Sequence, residues 1–331
     1  MKRIGIIIGS ERVPISDNYY RKYSKIFDKI LDELNIDEIT YDIAIYALAK
    51  HYSPKEVEII PLWKLEYSKK DMDECDIIYC IYEFTYAIRD YGIEGYKKYM
   101  KLIKNTKAKV YPSYKLQNFV KSKQRYMNYF KKKGFPIMDT IFFNLKNHTL
   151  RDCKELEKNI ENRFEGLKIY CNPELGGFAE GSKLFTTITT KSLHKYVKML
   201  VKKGYQKLLI QPYIEEFTKF WEYKMIFIQG KYSYCYGANV RGDVGEALES
   251  ELDKTLLRKL KKMGKEIIDC ISKDFGIPFL LRVDFGCCLQ NDNICRDYFL
   301  NEIECCPAMD DKECEKGDNY LKQAKLLGKI S

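Results

Sequence analysis

Leu281-Arg282-Val283-Asp284-Phe285 and Leu300-Asn301-Glu302-Ile303-Glu304 are two short apolar stretches, and each of them carries two charged side chains. Side chains alternate between the two faces of a strand, so the two charges of each stretch fall on the same face. Between the stretches lies a run of turn-forming residues, Gln290-Asn291-Asp292-Asn293. The pattern therefore predicts a β-hairpin with one charged face.

The pairing of the charged residues follows from the symmetry of that hairpin. If it folds about Asn293, Asp284 lies opposite Glu302 and Arg282 lies opposite Glu304. Directly opposed residues have Cβ atoms about 5 Å apart, so two facing carboxylates repel unless a positive charge lies between them. Mg²⁺ is commonly held by one or two carboxylates together with substrate phosphates. The hairpin by itself predicts either a metal site or an ordinary charged sheet face with an Arg282–Glu304 pair.

Length and composition place the chain among globular proteins. With 331 residues, of which 45% are hydrophobic and 31% charged, it can form two or three packed layers or domains and does not have the composition of a disordered chain. No apolar run approaches the ~20 residues of a membrane span. Residues 1–9 are too short for a signal peptide and predict a first β-strand. We therefore expect a cytoplasmic protein without a membrane partner.

The twelve cysteines require a choice between disulfides, a metal site and buried thiols. Without a secretory signal, reduced thiols are expected. The pairs Cys287-Cys288 and Cys305-Cys306 resemble zinc ligands at first sight. However, adjacent strand residues point to opposite faces, and the C-x-x-C spacing does not occur. We expect these cysteines to pack as small hydrophobic side chains.

The formal charge of +10 comes mainly from lysine, with 46 lysines against 11 arginines. A basic surface favours anionic ligands such as nucleotides. Nucleic acid is not the expected partner, because no known nucleic-acid-binding module is recognisable. The charge therefore supports an anionic small-molecule ligand without identifying it.

Alternating strand and helix signals in residues 1–110 predict a small, mostly parallel α/β unit. Its strands are expected at 4–8, 57–60, 75–80 and 109–111, with one long helix at about 17–34 and helical periodicity through 96–103. The following region predicts helices at 115–133, 150–164, 191–203 and 252–271, and strands at 140–144, 167–171, 207–210, 222–229 and 231–238. The charged hairpin comes last.

Two further features precede the hairpin. Asn172-Pro173 follows a predicted strand and begins a loop with Gly176, Gly177 and Gly181. Glycine-containing loops let backbone amides approach phosphates closely, although the same loop could be an ordinary surface turn. The apolar strand ending at Ile210 leads into the linker Gln211-Pro212-Tyr213-Ile214. Glycine loop, linker and carboxylate hairpin occur in this order.

Together these features resemble the ATP-grasp superfamily over roughly residues 110–310. Arg282-Val283-Asp284 and Asn301-Glu302-Ile303-Glu304-Cys305-Cys306-Pro307 are similar to its metal-binding signature, with Glu304 and Ala308 where the family usually has Asn and Gly. The resemblance implies an α/β and α+β protein with an ATP-grasp fold preceded by a Rossmann-like α/β domain. The implied division is 1–112 for the N-terminal domain, 113–206 for the subdomain with the glycine loop, and 207–331 for the subdomain with the metal site.

The resemblance also implies roles for residues of the hairpin and its surroundings. Asp284, Glu302 and Glu304 would hold Mg²⁺, with Mn²⁺ as an alternative ion. Arg282 would stabilise the phosphoryl group during transfer, because cations act where charge develops. Arg241 is a second candidate catalytic cation. With Lys224 and Lys231 it would also suit an anionic acceptor.

The ATP site is implied in the same way. The family holds adenine by backbone groups of the linker, and Gln211, Tyr213 and Ile214 occupy those positions here. Glu222 matches the acidic residue that binds ribose hydroxyls, although it could equally be a solvent-facing strand residue. Lys123 precedes Gly134 by eleven residues, the spacing of a phosphate-binding lysine in the family, and Lys121 is an adjacent alternative.

The chain departs from the family at residue 172, where Asn172 replaces a lysine that normally binds nucleotide phosphates. Lys168, on the same strand, or Lys183, beyond the glycines, could supply the cation instead. Gly176 and Gly177 remain candidates for phosphate contacts through their backbone. The alternatives are weaker ATP binding or a degenerate, inactive site.

The implied reaction is ATP-dependent ligation of a carboxylate to an amine, or a thiol, through an acyl-phosphate. Only three histidines are present, and none lies near a motif, which suits phosphoryl transfer. The acceptor would be a small molecule or a peptide, and the basic charge favours an anionic one. Glu83, Arg89 and Asp90 are candidates for contacting it, because ligands bind beyond the carboxyl ends of parallel strands. The alternatives are an ATP-grasp kinase, for example with an inositol-phosphate-like acceptor, and a non-catalytic nucleotide-binding protein.

Overall fold

The computed structural model describes most of the chain. The described residues are 1–64, 66–80, 84–146, 148–175, 180–215, 219–239, 246–289, 296–305 and 316–327, with the backbone alone for 84–90, 246, 288–289 and 296–297. Within them, no helix combines the length and the apolarity needed to cross a membrane.

The first sheet is parallel, as the sequence predicted, and its four strands have the order β2-β1-β3-β4. Its strands are β1 (Lys2–Ile8), β2 (Val57–Trp63), β3 (Ile77–Cys80) and β4 (Lys109–Tyr111). Five helices accompany it, namely α1 (Asp17–Lys22), α2 (Ser24–Leu34), α3 (Tyr41–Tyr52), α4 (Lys69–Asp73) and α5 (Phe84–Asn105).

One helix prediction in this region was wrong, and two helices, α3 and α4, were missed. The single helix expected at 17–34 is divided into α1 and α2, because Tyr23 has non-helical backbone angles (φ −126°, ψ 22°). Helix α3 was not predicted. Its residues from Tyr41 to Ala49 are all buried, so they lack the polar face that marks an amphipathic helix in a sequence.

The second sheet is antiparallel and has the order β5-β8-β6-β7. Its strands are β5 (Ile141–Asn144), β6 (Ile169–Pro173), β7 (Lys183–Phe185) and β8 (Lys207–Pro212). The helices of this region are α6 (Tyr114–Val120), α7 (Lys123–Lys132), α8 (Leu150–Arg163) and α9 (Thr190–Lys202). The helix predicted at 115–133 is thus two helices. Ser122 is the N-cap of α7, and its side chain accepts a hydrogen bond from the Arg125 N–H. The strand beginning at Lys207 joins this sheet, although the predicted subdomain boundary lies just before it.

The third sheet, here called the central sheet, has the order β11-β10-β9-β12-β13. Its strands are β9 (Glu222–Ile228), β10 (Lys231–Ala238), β11 (Glu246–Ala247), β12 (Leu280–Leu289) and β13 (Arg296–Glu304). A 3-10 helix (Glu249–Glu251) and α10 (Lys254–Phe275) follow β11. The predicted hairpin is confirmed, since Asp284 pairs with Glu302 and Arg282 pairs with Glu304.

The two faces of the central sheet have different environments. Leu281, Val283 and Phe285 are fully buried and share a core with α10. Helix α10 approaches closely because it has Gly264 at the contact, where a Cβ would come within 2.9 Å of the Phe227 ring. On the opposite face, Ile226 packs into a second core with the first sheet. The charged residues lie on that same face, beside the interface with the first sheet.

The last described helix, α11 (Asn319–Leu327), returns to the N-terminal region. Tyr320 stacks on Tyr41 of α3 with ring centroids 6.2 Å apart, and the Tyr19 hydroxyl donates a 2.7 Å hydrogen bond to Asp318. Of the eight cysteines with described side chains, all are free thiols and seven are buried, as expected. The side chains of Cys288 and Cys306 lie outside the described residues.

Candidate active site

A charged face on the central sheet gathers the residues that decide the chemistry. We use this name for six side chains on three adjacent strands, namely Glu222 and Lys224 on β9, Arg282 and Asp284 on β12, and Glu302 and Glu304 on β13. Strand alternation places each pair on one face, and the order β9-β12-β13 puts the pairs side by side. Lys123 of α7 reaches the same face. Four carboxylates and three cations therefore converge.

Asp284 is the centre of this arrangement and is fully buried. It accepts hydrogen bonds from Arg282 Nε at 2.8 Å and Arg282 Nη2 at 2.9 Å, and from Lys224 Nζ at 2.9 Å. Burial by itself would raise the pKa of Asp284, but the charges of Arg282 and Lys224 hold that pKa below its ordinary value. Arg282 Nη2 also lies 2.9 Å from Glu304 Oε1. Asp284 is thus an ionised carboxylate held by two cations.

Lys224 links the carboxylates of two adjacent strands of the charged face, β9 and β12. Its Nζ lies 2.9 Å from Glu222 Oε2 and 2.9 Å from Asp284 Oδ2. Burial and Arg282 would lower the pKa of Lys224, but Asp284 and Glu222 raise it above its ordinary value, so the group is an ammonium ion. Glu222 also accepts a 2.6 Å hydrogen bond from Asn301 Nδ2. Glu222 is therefore a buried, ordered carboxylate and not the solvent-facing residue of the alternative interpretation.

Lys123 is brought to the charged face by α7, of which it is the first residue. Its Nζ lies 2.7 Å from Glu302 Oε1. Burial opposes the charged form, but Glu302 and then Glu304 raise the pKa of Lys123. The rival candidate, Lys121, instead lies over the Tyr96 ring, 5.7 Å from its centroid. Between these two lysines, the geometry favours Lys123.

Glu174 connects α7 to the loop that follows β6, a link that sequence reasoning missed. It accepts hydrogen bonds from Ser122 Oγ at 2.7 Å and from the Gln124 N–H at 3.3 Å. Lys207 Nζ lies 3.6 Å from its other oxygen. Glu174, which lies within the predicted glycine loop, thus fixes the helix end from which Lys123 projects.

The other predicted phosphate residues have contacts within their own part of the molecule. Lys168 Nζ lies 2.8 Å from Glu215 Oε1. Asn172 accepts a 3.1 Å hydrogen bond from Ser182 Oγ. Lys183 Nζ lies over the Phe185 ring, 4.6 Å from its centroid. These contacts do not connect the three residues to the charged face.

The predicted adenine-binding linker begins inside β8 and continues beyond it. Gln211 Nε2 donates a 2.9 Å hydrogen bond to Thr140 Oγ1. The Tyr213 N–H donates to the Lys168 carbonyl at 2.7 Å, which extends the pairing with β6 by one bond. Ile214 is half-buried. The remaining candidates, Gly176, Gly177, Arg241 and Glu83, lie outside the described residues, as do the side chains of Arg89 and Asp90.

The carboxylates of the charged face are the candidate ligands for a metal ion. Across the described part of the chain, no three His, Cys, Asp or Glu side chains are grouped so as to hold one. Asp284, Glu302 and Glu304 are instead each paired with a cation of the protein. Mg²⁺ needs only one or two carboxylates when phosphates complete its coordination, and Asp284 and Glu302 are directly opposed across the hairpin. These carboxylate oxygens suit a Mg²⁺ ion that nucleotide phosphates also bind. They do not form a complete metal site by themselves.

Comparison with known proteins gives a fold and no close relative. No protein-family model matches the sequence, and no curated protein matches it. Among solved structures, the D-cycloserine synthetase DcsG matches with a TM-score of 0.64 and 13% identity over 98% of this chain and 100% of that chain.

A D-alanine–D-alanine ligase from Bacillus anthracis complexed with ATP matches with a TM-score of 0.58 and 15% identity over 99% and 96% of the two chains. A RiPP-associated ATP-grasp ligase from Chryseobacterium gregarium, in complex with ADP and a leader and core peptide, gives 0.52 and 13% over 99% and 96%. This chain therefore has the ATP-grasp fold, which confirms the expected fold class.

Proposed function

We propose that the protein is an ATP- and Mg²⁺-dependent ligase that joins a carboxylate to an amine, or to a thiol, through an acyl-phosphate. The observation that carries the proposal is the charged face itself. Asp284 and Glu302 face each other across a hairpin that also carries Arg282, and Lys123 from a separate helix pairs with Glu302. Phosphoryl transfer needs this combination of paired carboxylates for a metal and cations for the transferring charge.

The nucleotide is proposed to lie between the second sheet and the central sheet. Its adenine would contact Gln211, Tyr213 and Ile214, and its ribose hydroxyls would bind Glu222. Because the Tyr213 N–H already donates to Lys168, the linker would present other backbone groups to the base. Lys123 is the first candidate for the phosphates.

Other groups are proposed to complete the phosphate site. Lys168, Asn172, Lys183 and the backbone of Gly176 and Gly177 are further candidates on the second-sheet side. Arg241 is a second proposed cation beside the reacting groups. The metal is assigned to Asp284 and Glu302, with Glu304 as the third candidate ligand and Mn²⁺ as an alternative to Mg²⁺.

In the proposed first step, a carboxylate oxygen of the substrate forms a bond to the γ-phosphorus as the bond from phosphorus to ADP breaks. A metal ion held by Asp284 and Glu302 would supply positive charge against the phosphates. Arg282, which is held rigidly by Asp284 and Glu304, is proposed to stabilise the charge on that group. In the second step, an amine nitrogen forms a bond to the acyl carbon, inorganic phosphate leaves and the nitrogen loses a proton.

The structural neighbours support an amino-acid or peptide substrate. The names of two of them specify D-alanine ligation and D-cycloserine synthesis, and a third is a RiPP-associated ATP-grasp ligase in complex with ADP and a leader and core peptide. We propose a small-molecule or peptide acceptor for this chain, with an anionic acceptor favoured by the net charge of +10. The proposed location is the cytoplasm, where ATP is available.

The test has two stages. Mg-ATP is expected to raise the melting temperature, because a ligand that binds only the folded state stabilises it. The protein is then incubated with ATP, Mg²⁺, pools of carboxylates and hydroxylamine, which captures an acyl-phosphate as a hydroxamate. Hydroxamate formation with stoichiometric ADP release is the expected result. Phosphate transfer to an acceptor without any amine would indicate a kinase, and a melting temperature unchanged by millimolar Mg-ATP would indicate a degenerate site.

A further inference from the structure

The proposed nucleotide site requires a second phosphate-binding cation that residue 172 does not supply. An ATP molecule carries several negative charges on its phosphates, and unneutralised charge in a partly closed cleft is costly. Asn172 has no charge, and Lys168 is paired with Glu215 on an exposed surface. The cations of the charged face are therefore the next candidates for binding the phosphates.

Lys224 occupies the appropriate position. It bridges Glu222, the proposed ribose ligand, and Asp284, the proposed metal ligand, with its Nζ 2.9 Å from each carboxylate. In a nucleotide, the phosphate chain starts at the ribose, and its far end binds the metal. An ammonium group placed between the ribose ligand and the metal ligand therefore lies along the path of that chain.

We propose that Lys224 is a phosphate-binding residue of this site, and that it exchanges Asp284 for a phosphate oxygen when the metal–nucleotide complex binds. The inference rests on the proposed function. It assigns to β9 of the central sheet the positive charge that a lysine at position 172 would otherwise provide.

Charge counting supports the exchange. Four carboxylates (Glu222, Asp284, Glu302 and Glu304) and three cations (Lys123, Lys224 and Arg282) give the site a formal net charge of −1. A divalent metal ion changes this by two units to +1, which favours an anionic phosphate chain.

The same ion cannot share Asp284 Oδ2 with an ammonium group at 2.9 Å without strong repulsion between like charges. Lys224 would keep Glu222 and move its flexible end to the nearest new anion, which is the phosphate chain. Its side chain is only 15% exposed, so solvent would screen that interaction weakly.

A structural role for Lys224, in which it only holds Glu222 and Asp284 together, makes a different prediction. Loss of such a bridge would disturb the sugar end and the metal end alike, so binding of adenosine and of ATP would weaken to a similar degree. Loss of a phosphate contact would weaken binding only of the ligand that has phosphates. Affinities for the two ligands therefore distinguish the roles without reference to catalysis.

The experiment compares the intact wild-type chain with Lys224→Met, which keeps a long side chain and removes the charge. Lys265→Met is the matched control, because Lys265 pairs with Asp269 at 3.0 Å on the exposed surface of α10. Dissociation constants are measured by calorimetry for a non-hydrolysable ATP analogue with Mg²⁺ and for adenosine. Lys224→Met is expected to weaken binding of the analogue at least tenfold and that of adenosine less than twofold, with neither changed in Lys265→Met.

Equal weakening of both ligands in Lys224→Met, or unchanged binding of the analogue, would overturn the inference while leaving the proposed function in place. Failure of the wild-type protein to bind the analogue would overturn both. If Lys224→Met does not fold, Lys224→Gln restores a hydrogen-bonding group without the charge. The same selective loss of binding of the ATP analogue is expected from it, and its absence would likewise overturn the inference.

Discussion

The charged face of the central sheet and the predicted phosphate side of the second sheet contain the same kinds of residue in opposite settings. On the charged face, Arg282 pairs with Asp284, and their side chains are 7% and 0% exposed. Beside the second sheet, Lys168 pairs with Glu215 at the same 2.8 Å distance, and their side chains are 49% and 55% exposed. Distance alone would rank the two pairs equally.

Burial separates them. An exposed ion pair contributes typically 0 to ~1 kcal/mol, because water solvates and screens both partners. A buried pair is costly to break, because the remaining charge is left uncompensated away from water. The chain has thus placed its strongly coupled charges on the central sheet and α7, and weakly coupled ones on the second sheet. We infer that binding of the polyphosphate depends mainly on the first group.

The largest expected effect comes from Asp284→Asn. This substitution removes the charge that Arg282 and Lys224 share, and should destabilise the ligand-free protein by about 3 kcal/mol and abolish Mg-ATP turnover. Thermal unfolding and ADP release are the measurements. The control is Asp269→Asn on the exposed surface of α10, expected to cost less than about 0.5 kcal/mol. Equal stability of the two variants would mean that burial does not separate the two regions.

Glu302→Gln should separate function from stability. Glu302 pairs with Lys123, and the Glu302 side chain is 28% exposed. Turnover is expected to be lost as in Asp284→Asn, because the second proposed metal carboxylate is gone. The free energy of unfolding should fall by about 1 kcal/mol, less than in Asp284→Asn, because this pair is more exposed than the Arg282–Asp284 pair. Full turnover would instead remove Glu302 from the proposed metal site.

Lys123→Ala tests the second source of positive charge on the charged face. Loss of its ammonium should weaken binding of an ATP analogue by about tenfold, which corresponds to about 1.4 kcal/mol. Lys121→Ala is the matched control, because the neighbouring lysine lies over Tyr96 and not on the charged face. Titration of both variants is the measurement. The same loss in both would show that general basicity, and not position, is responsible.

Features that depend on residues close together in the sequence could be predicted, and features that depend on distant residues could not. The hairpin register was predictable, because strand alternation and one turn determine which residues face each other, and the structure has Asp284 opposite Glu302. The central place of Lys224 was not predictable. It depends on β9 lying beside β12, and nearly sixty residues separate Lys224 from Asp284 in the chain.

Local signals failed where tertiary packing replaced them. Helix α3 is buried on every side, so it lacks an amphipathic pattern. The breaks that divide α1 from α2 and α6 from α7 each occur within a continuous helical pattern of apolar residues, at Tyr23 and Ser122. Glu174 was missed because its partners on α7 are about fifty residues away in the sequence.

The smallest effect is expected from Lys168→Ala, and for that reason it is the sharpest test of the comparison. The lysine lies directly before β6 and its pair with Glu215 is about half exposed, so little stability should be lost. If the charged face and Lys123 provide the phosphate-binding charge, affinity for an ATP analogue should fall less than about twofold, which is under about 0.4 kcal/mol. The measurement is the same titration at low and at physiological salt, because a remote charge acts only through a field that salt screens. A tenfold loss that persists at physiological salt would place a phosphate against Lys168 itself. The second sheet would then bind the nucleotide directly, and the division between the two regions would be wrong.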